Sequence, residues 1–208
     1  MPIKVMGNKA QRRAVEKLLL ELCTTAMVDP KTGIVTVGPG PHRPQHKLGC
    51  CCLSNLAAPK SRTVAIVPGT AKTPLPGAPG LTLGATGGGA TATGPGATRR
   101  AGPGGGQLRG PGSNSIIWID TTDNGGDGYF VFNAKGKKID DPAFIILYHE
   151  LCGGHATINA NGLRDPKNPE RDAIASENGL RRSQVPPYSL RSGARGGANA
   201  PGAGRAPR

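Results

Sequence analysis

Residues 141–155 read DPAFIILYHELCGGH, and this stretch decides the fold of the 208-residue chain. Asp141 and Pro142 predict a helix start, with the aspartate as N-cap and proline at the first helical position. The run 143–148 is apolar nearly all round, so the helix is expected to be central and buried. His149 and Glu150 follow at its end, where a charged carboxylate needs a partner or a metal ion.

The His-Glu pair is close to the zinc motif His-Glu-x-x-His. In that motif two imidazoles at i and i+4 share one metal ion, and the glutamate acts as general base. Here the second histidine, His155, stands at i+6, which a regular helix turns about 240° away from His149. Gly153 and Gly154 permit a turn that brings His155 back under His149. The alternative is a pair of histidines at a helix end without a metal.

Glu177 is the candidate for a third ligand. It follows Ile174 by three residues in the apolar stripe of a helix predicted over 169–182. Glutamate is rarely buried without a partner. Its position on a later helix, after His155, suits a His, His, Glu zinc site. The alternative is a structural ion pair with Arg181 at i+4.

Cysteines form a second group of possible ligands. The chain has 5 cysteines, an odd number with three in succession, which indicates a poor disulfide framework and a reducing compartment. Together with nearby histidines, three of these cysteines could form a metal cluster, because their side chains are ligand types suited to zinc or a soft metal. The alternative is that these residues have no specific role. Cys152, beside the predicted zinc site, is expected to be a packing residue. The candidate cluster consists of His42, His46, Cys50, Cys51 and Cys52.

Composition divides the chain into four parts. Glycine (33 residues) and proline (20) are abundant and only 3% of residues are aromatic, so a core cannot extend over the whole chain. The parts are an N-terminal piece expected to join the core (1–67), a Gly/Pro-rich linker or loop (68–113), a core that carries the candidate site (114–190) and a disordered basic tail (191–208).

Short elements are predicted within these parts from apolar period and from turn residues. The strand at 116–119 is also a possible edge for an extended substrate. The predicted elements are a helix at 11–26, strands at 34–37, 63–67 and 116–119, a hairpin within 128–139, and helices at 142–151 and 169–182.

Several of these pieces stand in the order found in a known family. The chain resembles the NleD-like zinc metallopeptidases, which are secreted bacterial effectors and toxin-associated domains, with the specific match over 114–190. The matching pieces are the small polar run 112–115 before a strand, the helix 142–151 into His-Glu-Leu, the segment Glu-Asn-x-Leu-Arg at 177–181, the proline turn and tyrosine at 186–188 and, more loosely, the helix and strand of 11–37.

The resemblance implies an α+β, zincin-like fold and a zinc-dependent endopeptidase that acts on protein substrates. In such an enzyme His149, His155 and Glu177 would hold Zn²⁺, Glu150 would be the catalytic base and Tyr188 a donor to the transition state. The motif has two residues more than usual between its histidines. The dipeptidyl-peptidase III family is similar in reaching its second histidine across one extra residue.

The expected partners and location follow from the same resemblance. We expect synthesis in the bacterial cytoplasm and, because the N-terminus lacks the apolar segment of a signal peptide, secretion by a signal-peptide-independent route. A chaperone or immunity protein is a further possible partner. No apolar run approaches the ~20 residues that span a membrane, so no membrane partner is expected.

Two other functions remain open. The inserted glycines favour a catalytically inactive descendant that keeps the fold as a binding module. A net charge of +13, with no acidic residue between Asp29 and Asp120, is also typical of a nucleic-acid-binding protein. Nucleic acid is the less expected partner, because the basic stretches contain no interleaved aromatic side chains on which bases can stack.

Overall fold

A computed structural model of the chain describes residues 3–58, 62–93, 114–122, 129–152, 156–157, 169–192 and 204–205. Within these ranges the protein has the predicted α+β composition, with helices packed on a mixed sheet. Gly153, Gly154 and His155 lie outside the described residues, as do 94–113 of the predicted linker.

Six strands form the main sheet, in the order β2-β3-β1-β4-β6-β5. The centre is parallel, since β4 pairs in parallel with both β1 and β6, whereas β5 runs antiparallel to β6 at one end. The strands are β1 (Ile3–Val5), β2 (Ala26–Val28), β3 (Ile34–Val37), β4 (Val64–Gly69), β5 (Gly89–Thr93) and β6 (Ser115–Asp120). A smaller sheet joins β7 (Tyr129–Phe132) to β8 (Lys138–Asp140) and β9 (Gly204–Arg205).

The core of the described residues is packed with four helices: α1 (Lys9–Leu22), α2 (Pro44–Ala57), α3 (Ala143–Leu151) and α4 (Pro169–Ser183). A capping box between Asn8 and Gln11 starts α1, and its buried stripe is the predicted one. Every residue of α3 is buried, as its all-round apolar sequence predicts. None of the helices within the described residues is long and apolar enough to span a lipid bilayer.

The start of α3 differs from the prediction. Pro142, rather than Asp141, occupies the N-cap position, and no side chain caps the helix. Asp141 does not cap because its carboxylate contacts the buried guanidinium of Arg181 instead. The helix therefore begins beside the ion pair of Asp141 and Arg181.

The first part of the predicted linker 68–113 forms regular structure. Residues after β4 form a 3-10 helix at Leu83–Thr86, and β5 follows. Small side chains let β5 lie against α3: a Cβ at Gly89 would stand 2.6 Å from Ile146 Cγ2. Because β5 covers one side of β6, the predicted strand 116–119 is not an edge, and an extended substrate cannot pair with it.

The disulfides correct a second prediction, namely that the cysteines make a poor disulfide framework. Cys23 is joined to Cys50 and Cys52 to Cys152, which leaves Cys51 free and exposed. Successive helical residues are turned by about 100°, so positions two apart on α2 point to different neighbours. Cys23 and Cys152 are the C-cap residues of α1 and α3, and each meets α2 from its own side. Three adjacent cysteines are therefore compatible with two disulfides.

Candidate metal and catalytic site

His149 is buried on the last turn of α3 and is held by two carboxylates of α4. Its Nδ1 lies 2.9 Å from Glu177 Oε2, and its Nε2 lies 3.5 Å from Glu170 Oε2. Burial lowers the pKa of His149, but the hydrogen bonds to the two carboxylates and the negative charge of Glu150 outweigh this and raise it to about 10. Without a metal ion the imidazole is thus protonated at neutral pH, and a metal ion has to displace a proton to bind it.

Glu177 is buried as predicted and is surrounded by positive charge. Its Oε1 accepts a hydrogen bond from Arg181 Nε at 2.7 Å, and its Oε2 accepts from Arg191 Nη1 at 3.0 Å and from His149 Nδ1. Burial raises the pKa of Glu177, but these contacts more than offset that and lower it to about 2. The pairing with Arg181 that the sequence left open as an alternative is therefore present.

Arg181 joins this network to the start of α3. Its side chain is 0% exposed, and besides Glu177 it contacts Asp141 and donates to the carbonyl oxygen of Asp140 at 2.9 Å. A guanidinium offers five donors in a fixed plane, so one buried arginine can hold several acceptors at once. The network thereby fixes α4 against the segment that leads into α3.

Glu150, the next residue of α3, contacts β5. It is buried, and its Oε2 accepts a hydrogen bond from Thr91 Oγ1 at 2.5 Å. The backbone of β5 is also close, because a Cβ at Gly89 would lie 3.1 Å from Glu150 Cγ. Sequence analysis missed β5, although the alternation of alanine and threonine at 90–93 was the signal that could have indicated a strand.

Glu170 and Arg191 are the site residues that sequence analysis missed. Glu170 precedes Glu177 by seven residues, two helical turns, and therefore lies on the same face of α4, which was the available signal. Arg191 Nη2 contacts Glu170 Oε1 at 3.1 Å. Arg191 was placed in the disordered tail 191–208 and instead bridges two carboxylates of the site. Nothing in its Gly-, Ala- and Arg-rich surroundings signals that role.

His155 and Tyr188 are the two remaining site residues predicted from the sequence. His155 lies outside the described residues. Tyr188 packs edge-on against Phe144, with ring centroids 6.0 Å apart, near the first turn of α3. His149 follows Phe144 by five residues on the helix, a rise of about 7.5 Å along the axis.

Two donor atoms of the described residues, His149 Nε2 and Glu170 Oε2, have the spacing of zinc ligands. Two ligands at ~2.0–2.2 Å from a tetrahedral zinc ion stand roughly 3.3–3.6 Å apart, and the distance from His149 Nε2 to Glu170 Oε2 is 3.5 Å. Metal-binding histidines commonly donate their other N–H to a carboxylate, and Glu177 holds that place at Nδ1. Glu177 thus contacts Nδ1 of the ring and Glu170 lies at Nε2, and the role of Glu177 as a zinc ligand stays a prediction.

A Cys-His-Cys cluster elsewhere brings three possible ligand atoms close together. Ligand atoms of Cys23, His42 and Cys50 lie within 4.8 Å of one another, although the two cysteines form a disulfide. Of the other residues predicted for this cluster, His46 Nδ1 donates to the carbonyl oxygen of Glu21 at 3.1 Å, Cys51 is exposed and Cys52 is bound to Cys152.

The chain was compared with protein-family models, with curated proteins and with solved structures, and none of them matches. The resemblance to NleD-like metallopeptidases and the zincin-like identity of the fold accordingly stay predictions. The coarser class, a mixed α+β protein, is confirmed.

Proposed function

We propose that this protein is a zinc-dependent endopeptidase in which His149 and Glu170 hold the metal ion and Glu150 is the general base. The orientation of the His149 imidazole carries this proposal. Its Nδ1–H is bound by Glu177, so Nε2 is directed to Glu170 at 3.5 Å, the spacing of two ligands on one zinc ion. His155, from the sequence motif, is the further ligand.

Each side chain has a distinct task in peptide hydrolysis. Zn²⁺ bound at this place supplies Lewis-acid polarisation of the scissile carbonyl and lowers the pKa of water. Glu150 accepts the proton of the attacking water and passes it to the leaving amine nitrogen. Thr91 Oγ1 donates to Glu150 Oε2 and so fixes the direction of the carboxylate. Glu177, held ionised by Arg181 and Arg191, keeps the His149 ring in place.

The strand β5 is the favoured site for substrate. Among the described strands, β5 has β6 on one side and no strand on the other. An extended peptide that pairs with the outer edge of β5 would pass Glu150, because Gly89 brings this strand against that side chain. The substrate class is therefore a protein segment in extended conformation. A role as a bacterial effector or toxin rests on the resemblance alone.

A binding module without catalysis is the second candidate. The observation that favours it is the charge network itself, in which His149 and both carboxylates of α4 satisfy one another without a metal ion. A pKa of about 10 for His149 also opposes metal binding at neutral pH.

Zinc content and cleavage distinguish the two candidates. The full chain, with its disulfides intact, is analysed for zinc by elemental analysis and then incubated with a panel of unfolded proteins. We expect about one zinc ion per chain and cleavage. His149→Ala and Glu170→Gln should each lose both, whereas Glu150→Gln should keep zinc and lose cleavage, since glutamine cannot accept the proton.

A matched control is Glu21→Gln, an exposed glutamate of α1, which should change neither property. Zinc binding without cleavage by the unmodified chain would establish the binding module. A chain that takes up no zinc at this site would overturn the proposal.

A further inference from the structure

The C-terminal end of α1 brings a disulfide and a histidine together in the protein interior. Cys23 and Cys50 are both 0% exposed, and their Cα atoms are 4.7 Å apart. His42 lies just before α2, and one of its nitrogens falls within 4.8 Å of both sulfur atoms. Two sulfurs and an imidazole nitrogen are a donor set that zinc prefers.

The buried nitrogen of His42 has no hydrogen-bond partner. Among the described residues, His42 Nδ1 is one of two buried side-chain nitrogen or oxygen atoms left without one. Buried polar atoms are normally satisfied, and each exception calls for an explanation. A disulfide cannot satisfy this nitrogen well, because it has no proton to donate. A metal ion bound to the two sulfurs would give the His42 ring a polar partner.

Helix packing keeps the two cysteines close whether or not they are bonded. The residues just before them, Leu22 and Gly49, lie in close backbone contact: a Cβ at Gly49 would stand only 2.2 Å from the carbonyl oxygen of Leu22. The absence of a side chain at Gly49 therefore lets the backbones touch at this point. Because the backbones set the distance, the thiols of Cys23 and Cys50 stay near each other after reduction.

We propose that the reduced chain binds a zinc ion through Cys23 Sγ, Cys50 Sγ and a ring nitrogen of His42, so that these residues hold either a disulfide or a metal ion. A dithiol reductant transfers two electrons and two protons to the Cys23–Cys50 bond and itself becomes a cyclic disulfide. Zn²⁺ then displaces the two thiol protons and binds both thiolates and the imidazole, with water in the fourth position.

This site is separate from the proposed peptidase centre. It uses none of the residues around His149. The metal cluster predicted from the sequence included His46 and Cys51 and did not include Cys23. His46 donates to a backbone carbonyl and Cys51 is exposed. The consequence is a metal content that depends on redox state, because the thiolates are available only in the reduced chain.

Cobalt binding tests the proposal on the full chain. One sample is kept oxidised, and another is treated with dithiothreitol, which is then removed under nitrogen; thiol counting confirms an increase from the single Cys51 to 5. Both are titrated with Co²⁺. We expect a thiolate-to-cobalt charge-transfer band in the reduced chain, saturating at one equivalent and displaced by Zn²⁺, and no such band in the oxidised chain.

Variants identify the ligands. His42→Ala should weaken cobalt binding at this band at least tenfold, and His42→Cys should restore it, because a third thiolate replaces the imidazole. Cys51→Ser and His46→Ala should bind like the parent chain. His149→Ala should keep the band, so failure of the peptidase proposal leaves this test intact. A reduced chain without the band, or a band of equal affinity in His42→Ala, would overturn the proposal.

Discussion

The two ends of α3 are fastened by different chemistry. Asp141, just before the helix, contacts the buried guanidinium of Arg181, whereas Cys152 at the other end is covalently joined to Cys52. An ion pair holds only while both groups are charged, and a disulfide holds until it is reduced. The helix that carries His149 and Glu150 therefore responds to two independent conditions, pH and redox potential.

The covalent end should give the largest effect on stability. Replacing Cys52 and Cys152 by alanine removes a bond between residues 100 apart in sequence, and loop-closure entropy predicts a loss of about 4–5 kcal/mol in the free energy of unfolding. Urea unfolding without reductant measures it. Cys51→Ala, an exposed free cysteine on the same helix, should change stability by less than ~0.5 kcal/mol. A loss below about 1 kcal/mol would show that this end is held by packing alone.

The ionic end should give the next largest effect. Arg181→Met removes the buried cationic partner of Asp141 and one of the three cationic partners of Glu177, and breaking a buried pair costs about 3–5 kcal/mol. The exposed neighbour Arg182→Met is the matched control for urea unfolding, with an expected change under ~0.5 kcal/mol. Equal effects of the two substitutions would contradict the central role of Arg181.

The pH dependence should separate the charge network around Arg181 from the disulfide. The pKa of Glu177 is lowered from 4.5 to about 2 in the folded chain, so its contribution is fully present above pH 4.5 and is lost as pH falls towards 2. We compare the parent chain with Glu177→Gln after metal removal by a chelator. The difference in unfolding free energy should shrink on acidification by at most about 1.4 kcal/mol per pH unit. A difference in unfolding free energy that does not change with pH would mean that the pKa of Glu177 is the same in the folded and the unfolded chain.

The smallest effect is expected at Tyr188, which packs near the start of α3. Tyr188→Phe keeps the ring contact with Phe144, and within the described residues its hydroxyl makes no hydrogen bond to the protein. Stability should change by less than ~0.5 kcal/mol and cleavage by no more than about twofold. A loss of cleavage near a hundredfold, with unchanged zinc content, would instead assign the hydroxyl a role in the transition state.

The elements of this fold with a clear apolar period were predictable from sequence. The helix at 142–151, the strand at 34–37 and the hairpin around 133–136 are confirmed because each has a strong local pattern. α2 was missed because its glycine and cysteines give no amphipathic period, and β5 because small residues pack there for their size rather than their hydrophobicity.

In the candidate site, the sequence could predict the burial of single residues and contacts within one helix, but not contacts between distant segments. A buried Glu177 follows from its place in an apolar stripe, and its pairing with Arg181 follows from helical spacing. The approach of Glu170 to His149, of Thr91 to Glu150 and of Cys52 to Cys152 depends on how distant segments pack. Such contacts have no local signature in the chain, and the cysteine pairing in particular cannot be deduced from spacing.

The Cys52–Cys152 bond also decides what a protease can release from this protein. Any single cut between these residues, the glycine- and proline-rich stretch included, leaves two pieces that remain joined through sulfur. On a gel the nicked chain would run as one band without reductant and as two with it. The N-terminal helices would thus stay attached to the segment that carries His149 and Glu150 after a cut, and would separate from it on arrival in a reducing environment.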